Sequence, residues 1–388
     1  MTTSHPGAAP LAGLRVLSLA EQYPGPFATM ILADLGADVI LIERPNGGDP
    51  TRRFSGHFEA LNRNKRSIAA DLKRPEGREI FWRLAESSDV VIEGFKPGVV
   101  ARLGIGPSMA RTRLPELIYA SISSFGQTGP MGARGGHDIS LQGMAGLVRG
   151  DDPAPAPLPV ADLASGMFAA VGILASLLGR ERRGGGSYVD VSMLDALVSW
   201  RSTALVSAMN GLDPAPYPPV DPGYGVFETS TGELITLSIA GEDHQWRTLC
   251  EAAGLEHLAA LTTEERERSA PAIAEQLRTS LSKADWSVLE PVLSGKGVGW
   301  GPVYDDDQVG SDPQVEARNM IVEVPGTGQV KVVRLPILFD GQAGRVGARA
   351  PRLGQHTRTV LEEIGYAAGH VDELSAAGIV LIDDHGES

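Results

Sequence analysis

Over the first 126 residues, apolar runs of strand length alternate with stretches of helical period. LRVLSLA (14–20) is a β-rich apolar run, which predicts a buried parallel strand. The turn EQYPGP follows, and FATMILADLGA then has helical character, with Gly36 placed to cap it. DVILIERP (38–45) is the next strand, so these residues predict one βαβ unit. RSIAADL, DVVIEGF and LIYASISSFG repeat the strand pattern, with REIFWRLAESS and a short helix between them. Such alternation predicts an α/β fold with a large, Rossmann-like, doubly wound parallel sheet. No G-x-G-x-x-G follows the first strand, so a dinucleotide site is unsupported.

Past residue 166 the pattern predicts two helices around a strand, YVDVSML. The Pro-rich segment that begins at Asp213 reads as a linker, placed at 213–223. Composition then shifts. VFETSTGELITLSI predicts a hairpin turning at Thr231-Gly232, and EDHQWRTLCEAAGL an amphipathic helix. Residues 224–325 are therefore expected to form a smaller α/β domain. Residues 1–212 and 326–388 are expected to build the large one, with GQVKVVRLPILFDG returning as strands and RTVLEEIGY and HVDELSAAGIV closing as helices.

Composition narrows the function classes. The 388 residues carry a formal net charge of −14, which argues against a nucleic-acid surface and for a self-repelling cytoplasmic protein. An anionic ligand would need a local basic pocket. One cysteine, Cys250, excludes an internal disulfide and fits a reducing compartment. No run of 18 apolar residues is present, so no membrane span is expected. The opening MTTSHPGAAP reads as a disordered leader.

Two sets of residues could carry chemistry. The basic set is Arg44 at the end of the second strand, the turn around Asn64 and Lys65 in LNRNKRS, Lys96 in GFKPG, and Arg102. Basic groups at the carboxyl ends of parallel strands suit a phosphate-bearing ligand, although each also reads as a solvated surface charge. The acid–base set is His137 and Asp138 after Gly135-Gly136, Asp162 in ADLASG, and Glu242. Asp162 lies between a strand-like apolar run, Leu158-Pro159-Val160, and an apolar helical run, and reads as a helix cap, as a nucleophile or base beside glycines, or as both. His137 reads as a turn residue or as a proton shuttle, and Glu242 as a helix-end charge or as an acid. No His/Cys/Asp spacing suggests a metal, and G-x-S-x-G is absent.

Nearly the whole chain, about 11–380, resembles the class III CoA-transferases (CaiB/BaiF type), the family that also holds the 2-methylacyl-CoA racemases. The resemblance lies in LAGLRVLSLAEQYPGPFATMILADLGADVILIERP, LNRNKRSIAADLK, VIEGFKPGVVARLGIG, SSFGQTGP, RGGHDISLQGMAG and RERRGGGSYVDVSML. It continues in GVGWGPVYDDDQVGSDPQVEARNM and RAPRLGQHTRTVLEEIGY. It implies a large and a small domain and a homodimer of interlocked chains. No cofactor would be bound permanently; coenzyme A would enter as acyl-CoA, with its phosphates and adenine near Arg44, the Asn64-Lys65 turn, Lys96 and Arg102.

Asp162 matches the family's catalytic aspartate. In the transferases it attacks the acyl-CoA thioester to give an anhydride, and a carboxylic acid completes the exchange. In the racemases the same aspartate pairs with a histidine matched by His137, and a glutamate matched by Glu242 completes the set. The resemblance implies acyl-CoA:carboxylate CoA-transfer first, α-epimerisation as the alternative, and non-catalytic CoA binding as a remote third reading.

Overall fold

Six apolar runs become parallel strands: β1 (Arg15–Ser18), β2 (Asp38–Glu43), β3 (Lys65–Ala70), β4 (Val90–Glu93), β5 (Ile118–Ser123) and β6 (Tyr188–Ser192). In the computed structural model, which describes residues 9–150, 153–213, 216–327 and 329–383, they lie in the order β3-β2-β1-β4-β5-β6. A seventh strand, Val380–Leu381, pairs antiparallel with β3 at the outer edge. This is the doubly wound order expected from the alternation of strands and helices. Every residue of β4 and β5 is buried, which explains why these strands read as apolar runs rather than alternating ones.

Helices cover both faces. They are α1 (Pro24–Asp34), α2 (Ser55–Asn62), α3 (Pro75–Glu86), α4 (Val99–Leu103), α5 (Pro107–Arg113), α6 (Asp138–Met144), α7 (Val160–Arg183) and α8 (Met193–Trp200). Leu17, Ile40, Ile68 and Val91 pack with Ile80, Phe81 and Leu84 of α3 on one face. Their strand neighbours Val16, Val39, Leu41 and Val90 pack with Leu32 of α1, Ile173 of α7 and Leu197 of α8 on the other. Alternate strand residues thus feed two separate cores.

The packing of α7 on α1 sets the site. The buried face of α7 is built of small residues: Ala161, Ala164, Ser165, Gly166, Ala169 and Ala170. A Cβ on Gly166 would stand 2.7 Å from the Pro24 carbonyl oxygen and 2.9 Å from Phe27 Cδ1. Only a bare α-carbon permits this approach. By length and composition α7 is also apolar enough to cross a membrane, although its apolar residues form no unbroken run of 18. Here it packs on α1, β5, β6 and α8.

The chain divides into two units, Met1–Ser202 with Arg318–Ser388, and Thr203–Ala317. The second unit thus begins and ends earlier than the 224–325 read from composition. Its sheet is the hairpin Tyr224–Glu228 and Leu234–Ser238, extended by Trp300–Pro302. Trp246, Leu249, Leu277 and Leu293 fill its core. Two expectations are corrected in the first unit. AAGIV does not continue the last helix, which ends at Ala376; Gly378 turns with φ +67° into the edge strand. The run Leu158-Pro159-Val160, read as strand-like, forms no strand, and α7 already starts at Val160.

Candidate active site

The strand order reverses between β1 and β4, and in sheets of this type ligands bind beyond the carboxyl ends at that point. A cavity of about 310 Å³ lies there. The loop after β1 supplies Glu21, Gln22 and Tyr23, and the first turn of α1 supplies Pro24 and Gly25. Gly94 follows β4, Ser123 and Ser124 end β5, and Gly136, His137, Asp162 and Met193 close the wall. Thr51 and His57 complete it from the segment after β2. α1, α7 and α8 all present first-turn residues to this space, so three positive helix ends favour a negative charge there.

Asp162 sits in the first turn of α7, yet it does not cap that helix, whose N-cap residue is Pro159. That corrects the cap reading. The capping bond comes instead from Asp138, whose Oδ1 accepts from Ala161 N at 2.6 Å. The other oxygen of Asp138 accepts from the Gln142 amide, and Gln142 Oε1 accepts from Ala156 N. Asp138 thereby ties α6 to the start of α7, and the Asp162 carboxyl has no hydrogen-bond partner among the described residues. Burial, and secondly the Asp138 charge, push the Asp162 carboxyl up to about 7.

The loop after β1 is held by Asp49. Its Oδ2 accepts from Gln22 N at 3.0 Å, and its Oδ1 accepts from Thr51 N and Thr51 Oγ1, both at 2.7 Å. Gln22 adopts φ +71°, a left-handed conformation that costs a non-glycine residue energy. In that conformation its carbonyl accepts from His57 Nε2 at 3.2 Å. The His57 ring also packs edge-on against Tyr23, with centroids 5.1 Å apart. Burial first, and then the Asp162 charge, raise the Tyr23 phenol above its ordinary value, and Tyr23, His57 and Asp162 line one cavity.

His137 and Asp162 line the same cavity, as the family resemblance implies. His137 is exposed, and its backbone N–H and carbonyl are bound by Ser140 Oγ. Glu242 belongs to the second unit. It occupies the N-cap position of helix Asp243–Ala252, and its carboxylate turns back to accept from Ala240 N at 2.7 Å. Arg44 follows β2, donates to the Gly48 carbonyl at 2.7 Å and pairs with Glu21 at 3.3 Å. Lys96 and Arg102 are exposed and form no hydrogen bond or ion pair among the described residues. Lys96 lies against Gly135, beside the Gly136-His137 wall.

The Asn64-Lys65 turn does not belong with them. It precedes β3 and therefore lies at an amino end, not the carboxyl end that its basic sequence suggested. Asn64 binds Asp34 and the backbone of residues 345, 347 and 348. Lys65 is buried, and its ammonium donates to the Pro26 carbonyl, Thr29 Oγ1 and Asn62 Oδ1. All three donors are used, so none remains for a phosphate. Burial drives this amine well below its ordinary value. Conversely, Gln22, Tyr23, Asp49 and His57 escaped the sequence reading. EQYPGP was read only as a turn, and nothing in the spacing links residue 57 to residue 22.

Comparison with known proteins follows the same residues. A family model described as CoA-transferase family III matches residues 11–357. Succinate–glutarate CoA-transferase of Agrobacterium fabrum is 34% identical over 385 residues, covering 92% of this chain and 96% of its own. Succinyl-CoA:mesaconate CoA-transferase of Haloarcula hispanica is 35% identical over 394 residues, covering 92% and 97%. A solved CaiB/BaiF family protein from Brucella suis superposes with a TM-score of 0.82 at 31% identity, covering 92% of this chain and all of that one.

Proposed function

The chain belongs to CoA-transferase family III, and on that premise we propose that Asp162 is the nucleophile of an acyl-CoA:carboxylate CoA-transfer. The observation that carries this reading is a half-buried carboxyl at the switch-point cavity, without a hydrogen bond among the described residues, in a space lined by first-turn residues of three helices. An Asp162 oxygen attacks the thioester carbon of R–CO–S–CoA. The C–S bond breaks, leaving a mixed anhydride and CoA thiolate. The thiolate attacks the aspartyl carbonyl, which frees R–COO⁻ and leaves an aspartyl–CoA thioester. The acceptor carboxylate attacks that carbonyl and displaces the thiolate, which then takes the new acyl group and restores Asp162. This reading gives the oxyanions to the N–H of Gly25, which lines the cavity; Pro24 and Pro26 have none to offer.

Arg44, Lys96 and Arg102 follow β2 and β4 on the cavity's side of the sheet, and this reading gives them the CoA phosphates. The polar lining by Gln22, Thr51, His57, Ser123 and Ser124, together with the names of the two relatives, supports short dicarboxylic acids as acceptors. The exposed apolar side chains Met167, Phe168, Val171 and Leu178 along α7 support a second copy of the chain as partner.

Shared lining by His137 and Asp162 favours one second reading, α-epimerisation by this acid–base pair. One experiment separates the two. The protein is incubated in heavy water with a panel of acyl-CoA thioesters, then trapped with hydroxylamine and followed by mass spectrometry. CoA-transfer predicts a hydroxamate on Asp162 and none in Asp162→Ala. Deuterium at Cα without any aspartyl adduct would replace transfer by epimerisation.

A further inference from the structure

A dicarboxylic acceptor brings a second charge that the chemistry at Asp162 does not consume. Something must hold it, and the cavity offers few candidates. Its charged or cationisable lining residues are Glu21, Asp162, His57 and His137. Glu21 is an anion already paired with Arg44 at 3.3 Å. His137 is exposed and is the N-cap residue of α6, where it and Ser140 form a capping box. His57 differs on every count. Its ring is fixed by the bond to the Gln22 carbonyl and by the edge of Tyr23.

A carbonyl oxygen only accepts, so the 3.2 Å contact assigns the hydrogen to Nε2. That leaves Nδ1 as the ring nitrogen without a partner among the described residues. The fixture is built with some care. Asp49 pins Gln22 N and Thr51, and Gln22 takes up φ +71° in the arrangement that turns its carbonyl to the imidazole. Strain of this kind persists where surrounding bonds over-determine it. A rigid, pre-oriented donor binds an anion more strongly than a mobile one, because little freedom is lost on binding.

We propose that His57 is the anchor for the far carboxylate of a short dicarboxylic acceptor, held at Nδ1 while the near carboxylate meets the acyl group on Asp162. In the imidazolium form Nδ1–H donates to that carboxylate in a charge-assisted bond. Tyr23 packs edge-to-face with His57 and lines the same cavity as Asp162. The far carboxylate is therefore received beside Tyr23, within the cavity that holds the reaction centre. A monocarboxylate of equal length leaves this site unused. His57 thus makes no bond to the reacting atoms; it sets which acid is accepted.

This inference rests on CoA-transfer through Asp162, and the test keeps the two apart. Acceptor kcat/KM is measured with succinyl-CoA as donor, for C4–C6 dicarboxylates against monocarboxylates of matched length, in the parent, His57→Gln and His57→Arg. The ratio of dicarboxylate to monocarboxylate kcat/KM is expected to fall about tenfold or more in His57→Gln. Most of the change should lie in the acceptor KM. His57→Arg should recover part of the ratio, because it restores a cation. The ratio is taken on one preparation, so a misfolded fraction cancels. Equal loss for both acid classes, or an unchanged ratio, overturns the assignment to His57. A parent that uses monocarboxylates and no dicarboxylate overturns it as well. Loss of CoA-transfer as a mechanism would show separately, as absence of the Asp162 adduct.

Discussion

Asp162 is a carboxyl group placed where ionisation is costly, and its usefulness depends on that cost. A carboxylate with ordinary solvation is a weak nucleophile; one stripped of water and set beside another anion is more reactive once formed. Burial dominates, with Asp138 second, and together they bring the group to about 7. The sign for activity follows. The nucleophile is the deprotonated form, so kcat/KM should rise with pH on a limb centred at about 7. Asp138→Asn keeps an oxygen for the Ala161 N–H but removes the neighbouring charge. The carboxylate of Asp162 is then easier to form. The acid limb should move down by roughly one pH unit. A pH profile of kcat/KM for parent and variant checks this; an unmoved limb would mean that Asp138 acts only as a helix tie.

At the scale of elements, the site is an intersection of α1, α7 and the loop after β1, and much of its precision comes from one missing side chain. Gly166 lets α7 lie against the first turn of α1, which brings Asp162 over Tyr23 and Gly25. Gly166→Ala adds a methyl 2.7 Å from the Pro24 carbonyl oxygen, and the helices must separate to accept it. Overpacking of this kind costs about 1–3 kcal/mol. The melting temperature is expected to drop by several degrees. kcat should fall more than the CoA affinity, because the shift lies between nucleophile and loop rather than at Arg44 or Lys96. Calorimetry and steady-state kinetics on the same sample decide it.

Strand and helix order was legible in sequence because β4 and β5 are buried on both faces and leave mostly apolar runs. Asp162 and His137 were singled out through their motifs and line one cavity, and Arg44 pairs with Glu21 of the same wall. Asn64-Lys65 misled because a cluster of basic residues carries no sign of which end of a strand it occupies, nor of the internal acceptors that use it up. Gln22, Asp49 and His57 meet only through tertiary contacts, and their pattern is invisible to periodicity.

At the scale of the whole molecule, the same helix that delivers Asp162 carries an apolar stripe on its other side. Met167, Val171 and Leu178 recur at helical spacing and are 49%, 59% and 47% exposed, with Phe168 beside them. Side chains of this kind, left in water, oppose the benefit of burying the small-residue face. Contiguous apolar patches on soluble chains mark interaction sites. A second copy of the chain, bringing an identical stripe, is the simplest cover, and a shared two-fold contact of α7 would also brace the first turn that holds Asp162. Each chain carries −14, so association works against mutual repulsion and should strengthen as salt screens it. Sedimentation at micromolar concentration is expected to give a mass of two chains. Val171→Asp should yield single chains with lowered turnover. A parent that sediments as one chain at every salt concentration would remove the second copy from the account and leave the stripe of α7 without a partner.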